Sequence, residues 1–422
     1  MADKTITKSS TMTSDYYKQT QIDQTLRLRE VLKTLPPFAK DYFRAMEPKS
    51  SAKTRINYAY DIRVFFHFLL ENNPIYKNYT MDQFRVQDLE CIEPVDIEEY
   101  MEYLKVYKRE DNEMITNGER GLKRKMSALR SFYSYYFKHQ YIATNPTLLV
   151  DMPKLHDKAI IRLDIDEVAM LLDYVESAGE HLTGQALAYY QKTKNRDLAI
   201  LTLLLGTGIR VSECVGLNLT DVDFKNNGIT VTRKGGSQMV VYFGDEVADA
   251  LENYIEADRK VITPLSGHEE ALFLSTQRKR MGVQAIENMV KKYARQVTPN
   301  KKITPHKLRS TYGTSLYKET GDIYHLQKLF NHASPSITYR FIGEKPNIEV
   351  FLKKMTPQEN ERSRYLLYLN DNGKKKLNKI IDTLTGIRDN FDSPANNDAF
   401  YGKVDCLLQE LEALMENYEN TK

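Results

Sequence analysis

GTGIRVSECVGLNLTDVD, residues 206–223, decides how the rest of the chain is read. The apolar run NRDLAILTLLL (195–205) before it has helical length and no breaker until Gly206 and Gly208. A second helix is expected after Arg210. Downstream, GITVTRKGGSQMVVYF (228–243) has two β-branched runs around Lys234-Gly235-Gly236, a hairpin signal. Helical patterns follow in DEVADALENYIEADRKV (245–261), VQAIENMVKKYARQV (283–297) and the segment opened by TPHKLRSTYGTSLY (304–317). Together they predict an α+β domain over 159–356.

Upstream the pattern is helical throughout. QIDQTLRLREVLKTL (21–35) ends at Pro36-Pro37. SAKTRINYAYDIRVFFHFLL (51–70) places Ile56, Tyr60, Val64, Phe65 and Phe68 at helical spacing, with Ser51 or Thr54 as cap. A third helix is expected over 95–107. A fourth starts at Glu119, with Leu122, Met126, Leu129, Phe132, Tyr133 and Tyr136 on one stripe and Lys123, Arg124, Lys125 and Arg130 on the other side. Residues 17–150 thus read as an all-α bundle, joined by a linker at 151–158 (DMPKLHDK) to the α+β domain. Residues 1–16 are polar and expected to be disordered. The tail, 357–422, holds two amphipathic segments, 377–391 and 404–418, separated by the turn signal SPANN, and reads as a helical hairpin.

Composition sets the class. With 422 residues and 41% hydrophobic content, the chain can bury more than one core. The net charge of +3 is a weak hint of nucleic-acid binding, so local clusters must carry that argument. The three cysteines, Cys91, Cys214 and Cys406, lie far apart, which argues against a disulfide framework or a zinc site and fits a reducing cytoplasm. There is no signal-peptide pattern and no apolar run near the roughly 18 residues of a membrane span.

Five local patterns carry chemistry, in a fixed order: Arg210 in GTGIRVSE, Lys234 in TRKGG, His306 and Arg309 in PHKLR, His332 in NHAS, and Phe341 in ITYRFIG. Each has an ordinary reading as a cap, turn or ion-pair residue. Jointly they suit one phosphodiester. Two guanidinium forks can bind both non-bridging oxygens and stay charged through a pentavalent transition state. A hairpin lysine can protonate a leaving 5′ oxygen, and two histidines can orient the phosphate or take the nucleophile's proton. Arginine then acts as the charge clamp, and no metal or other cofactor is called for.

The wording of these patterns closely resembles the tyrosine recombinases, or phage-type integrases. GTGIRVSECVGLNLTDVD is similar to the family's first arginine box, TPHKLRSTYGTSLY to its second, and LQKLFNHASPSIT (326–338) to the box of the third helix. TRKGG and ALAYYQKTKNRDLAI (186–200) look most like the Xer branch in which one recombinase acts alone, and NHASPSIT with RFIG also resembles integrases of Gram-positive mobile elements. The resemblance covers about residues 40–350. It implies a clamp of core-binding and catalytic domains around double-stranded DNA, with Arg210, Lys234, His306, Arg309 and His332 in the catalytic pocket and Glu213 buttressing Arg210. It also implies a homotetramer on two paired sites, with room for an accessory protein.

Two positions depart from the pattern. Ser310 stands where many relatives have a second histidine. More seriously, the position nine residues after His332, where the family has its nucleophilic tyrosine, holds Phe341. Phenylalanine has no hydroxyl and cannot form a 3′-phosphotyrosyl bond. The reading adopted is a deliberate Tyr→Phe change that holds the complex before cleavage. Tyr339 acting from a shifted helix and a naturally inactive relative stay open, although Tyr339 lies about 200° around the helix from Phe341. DNA contact is expected from Lys123, Arg124, Lys125, Arg130, Lys307 and Arg340, with Lys301 and Lys302 adding to the phosphate-facing surface. The competing classes are a type IB topoisomerase and a non-catalytic architectural DNA-binding protein.

Overall fold

The computed structural model describes residues 15–109, 112–156, 159–233 and 236–343. Most of the expected N-terminal disorder, Lys234, and the whole tail from 357 lie outside these residues. Asp15 and Tyr16, expected to be disordered, belong to the first helix.

The N-terminal part comprises α1 (Asp15–Leu32), α2 (Ala39–Met46), α3 (Ala52–Asn72), α4 (Pro94–Tyr103) and α5 (Glu119–Lys138). The Ser51 hydroxyl accepts the Thr54 N–H and starts α3. Phe65 and Phe68 of the expected stripe are buried, while Ile56, Tyr60 and Val64 pack at its margin. In α5, Met126, Leu129, Phe132, Tyr133 and Tyr136 are buried. Phe132 is ringed by Phe38, Tyr42, Phe66 and Tyr136 at centroid distances of 5.0–6.1 Å, mostly edge to face. The helix expected over 95–107 stops at Tyr103. Its last residues instead form β1 (Val106–Lys108), paired antiparallel with β2 (Met114–Thr116). This two-stranded ribbon is an addition to the helical bundle.

The second part contains α6 (Ile165–Ser177), α7 (Gly184–Thr207) and α8 (Val211–Gly216). A three-stranded antiparallel sheet follows, of β3 (Val222–Asp223), β4 (Gly228–Thr232) and β5 (Gln238–Tyr242), with β4 central. Next come α9 (Asp245–Asn253), extended by a π-helical turn at Tyr254–Arg259, then α10 (Val283–Val297), α11 (Pro305–Thr320), α12 (Ile323–Phe330) and α13 (Pro335–Ile342). Two large cores result. One draws on Leu28 through Val150, the other on Leu163 through Leu308. A small third cluster, Ile323, Leu326, Phe330 and Ile342, joins α12 to α13. α1 belongs to both large cores: Tyr16 packs on the second, and Leu28 and Val31 are buried in the first.

Candidate active site

The first arginine is placed by the turn that ends α7. Gly208 is left-handed, with φ 60° and ψ 22°, a conformation that favours glycine at a helix C-terminus. A Cβ there would also stand 2.3 Å from the Tyr312 ring. The turn delivers Arg210 to the start of α8. Glu213 is buried, and its carboxylate accepts both the Arg210 backbone N–H at 2.8 Å and Arg210 Nη1 at 2.9 Å. One side chain therefore caps the helix and fixes the guanidinium.

Arg309, one turn into α11, is 4% exposed. It donates to the carbonyls of Gly208 and, at 3.0 Å, Phe330. Arg210 Nη2 donates to the same Phe330 carbonyl at 2.9 Å. The two arginines thus meet on one acceptor at the C-terminal end of α12, where the helix carries partial negative charge. Arg309 also lies over the Phe330 ring, 4.0 Å from its centroid. Burial first, and then Arg210, push its pKa down to about 9.

The histidines and Phe341 close the pocket. The Phe341 ring stands edge to face with His306 at 5.0 Å, His332 at 5.3 Å and Phe330 at 5.3 Å. His332 Nδ1 lies 3.0 Å from Thr338 Oγ, and that hydroxyl has the Ser334 carbonyl as its own acceptor at 3.4 Å. This pattern favours a proton on Nδ1 and leaves Nε2 as an acceptor. Burial, followed by Arg309, Arg210 and His306, pushes His332 down to about 4; burial, then Lys307 and the two arginines, lowers His306. Both imidazoles are therefore neutral at pH 7 and able to accept a proton. Tyr339 turns to the other side of α13 and packs on Tyr317, with ring centroids 5.9 Å apart.

The structure thus brings together Arg210, Glu213, His306, Arg309, His332 and Phe341, whereas Lys234 lies outside the described residues. The expected DNA-facing cations are placed differently. Lys125 is 6% exposed and ion-paired with buried Asp61 at 3.2 Å. Its assignment to phosphate is corrected, since it faces the core. Arg124 also pairs with Asp61. Arg130 donates to the Thr147 and Val150 carbonyls, and Lys301 pairs with Glu167 at 2.6 Å and Asp164 at 3.3 Å. These three are committed within the protein. Lys123 and Lys307 are half-buried, and Lys302 and Arg340 exposed. Arg120, which the sequence reading missed, is exposed on α5 and close enough to Lys307 to lower its pKa, after burial. Two cations brought together from different helices make an anion-attracting spot.

A profile of the phage integrase family matches residues 162–346. The tyrosine recombinase XerC of Caldanaerobacter subterraneus subsp. tengcongensis is 32% identical over 347 residues, 79% of this chain and 91% of that protein. The tyrosine recombinase XerS of Streptococcus mutans serotype c is 31% identical, over 74% of this chain and 93% of its own length. The Tn1549 transposon integrase, solved with circular intermediate DNA, shares the fold at a TM-score of 0.54 and 19% identity, over 76% of this chain and 99% of that one. The fold is that of a family of enzymes that break and rejoin DNA. The chain belongs to the tyrosine recombinase family, on its Xer branch.

Proposed function

We propose that this chain binds a DNA recombination site and holds the scissile phosphate between Arg210 and Arg309, and that Phe341 stops it before the covalent step. The observation that carries this reading is the shared Phe330 carbonyl: two guanidiniums already converge on one oxygen. A phosphate there would meet two charge-assisted donors. Neutral His306 and His332 flank the Phe341 ring, where a tyrosine hydroxyl would lose its proton. Lys234, from its sequence context, is assigned to the leaving oxygen. Glu213 buttresses Arg210. The bundle from 17 to 150 acts as the core-binding domain and 159–356 as the catalytic domain, joined at 151–158, with Arg120, Lys123, Lys307 and Arg340 toward the phosphates. Two synapsed duplexes present four strands, so a homotetramer is the working assembly, acting in the cytoplasm.

The test is a nicked suicide duplex carrying the cognate site. The unmodified chain should bind it and give no covalent adduct. Phe341→Tyr should give a 3′-phosphotyrosyl adduct, unaffected by a further Tyr339→Phe. An adduct from the unmodified chain that disappears in Tyr339→Phe would overturn the assignment. Binding without an adduct from Phe341→Tyr would favour an architectural protein.

A further inference from the structure

We infer that Arg233 is a positioning residue for strand transfer, fixing the last turn of α12 and so the carbonyl on which Arg210 and Arg309 meet. The inference rests on the reading that this arginine pair binds the scissile phosphate. Arg233 directly follows β4 and is 8% exposed, too buried to grip DNA itself. Its Nη1 donates to the Lys328 carbonyl at 3.3 Å and its Nη2 to the Leu329 carbonyl at 2.5 Å. The next carbonyl is that of Phe330. Three consecutive carbonyls at one helix end therefore receive three guanidiniums, from the end of β4, the start of α8 and α11.

An arginine serving packing alone would be expected to bring a carboxylate. Among the described residues Arg233 has no ion pair, and its buried Nε has no hydrogen-bond partner. Among the described residues, Glu213 acts on it as an opposing charge and Arg210 as a like one. Burying a cation under these conditions costs stability. The compensating gain is geometric: α12 is only eight residues long, and its end also leads through Asn331 into His332. The β4 tether holds that end while both arginines depend on it. Without Arg233, the Phe330 carbonyl and the His332 turn lose their common reference.

The test uses Arg233→Gln and Arg233→Lys in the Phe341→Tyr chain, with single-turnover cleavage of suicide duplexes carrying an Rp or Sp phosphorothioate at the scissile bond. The Rp/Sp rate ratio reports how the arginines contact the two non-bridging oxygens. Arg233→Gln should slow cleavage about ten-fold or more and shift the ratio about three-fold, with duplex affinity nearly unchanged. Arg233→Lys, which keeps the charge but offers a single donor nitrogen in place of the fork, should fall between. Slower cleavage with an unchanged ratio and a lower melting temperature would make Arg233 merely structural, and a parental rate would remove it altogether. If Phe341→Tyr itself gives no adduct, the functional reading fails, and hydrogen exchange on the unmodified chain decides about Arg233. Protection lost over 327–332 and kept in α10 supports positioning; protection unchanged, or lost throughout, overturns it.

Discussion

Three guanidiniums and one carboxylate crowd the end of α12, leaving a local excess of positive charge among the described residues. Burial first, and then neighbouring positive charge that includes this cluster, depresses the pKa values of Arg309, His332 and His306. A phosphodiester would relieve that excess. Arg210→Lys or Arg309→Lys in the Phe341→Tyr chain should therefore cut single-turnover cleavage by roughly 10²–10³, because lysine cannot reproduce the fork on the developing charge. Duplex affinity, measured by gel shift, should fall far less, and equal losses would point to a structural role. The histidines predict a pH effect on stability. His332 titrates at 6.5 ordinarily and at about 4 here, so between these values the unfolded chain binds more protons than the folded one. Stability should be flat above pH 6.5 and decline as pH falls toward 4. Melting curves across that range should show the decline, lessened in His332→Gln. The arginines and histidines were legible in the sequence because their motifs are local and ordered. Arg233 was not, since nothing in TRKGG says that its arginine turns inward to a helix more than ninety residues further on.

At the scale of single helices, α5 shows what periodicity leaves undetermined. Lys123, Arg124 and Lys125 are consecutive, and at about 100° per residue they span too wide an arc to share the solvent face. One had to turn toward the core, and only the fold supplies its partner, Asp61 on α3. Burial raises the Asp61 pKa against the pull of Lys125 and Arg124, so the pair does not fully offset its own desolvation. Asp61→Asn should then cost about 3–5 kcal/mol by leaving Lys125 buried without its counter-charge, whereas Asp61→Leu with Lys125→Met should recover most of the loss. Denaturant unfolding of both variants checks this, and equal losses would refute it. Helix α13 is held in the same manner. The Ile342 carbonyl at its end accepts from Arg162 Nη1 at 3.1 Å and from the Thr314 hydroxyl at 3.3 Å. These contacts keep Phe341 against its own chain's histidines. The β1–β2 ribbon escaped the sequence because Val106 and Tyr107 continue the apolar spacing of α4 without a glycine or proline to mark the change.

For the whole molecule, binding should weaken steeply as salt rises, since each phosphate contact releases condensed counterions. A flat dependence of log affinity on log salt would contradict a phosphate-gripping protein. Removing 357–422 should impair pairing of two sites more than binding of one, with light scattering on and off site DNA as the measure; an unchanged tetramer would give that segment another job. The fold class was readable from the order of helical and β-branched patterns, but the sharing of α1 was not. Tyr17 donates to the Thr232 carbonyl at 3.3 Å, and Arg280 stacks 4.8 Å from the Tyr16 ring. A Cβ on Gly216 would fall 2.1 Å from the Tyr17 hydroxyl. The same helix then continues into the other core at Leu28 and Val31. Neither hydrophobic core can lose its grip on α1 without disturbing the other. Calorimetry of the intact chain should accordingly show these cores melting in a single cooperative event, and a chain shortened to begin after Tyr17 should separate it into two.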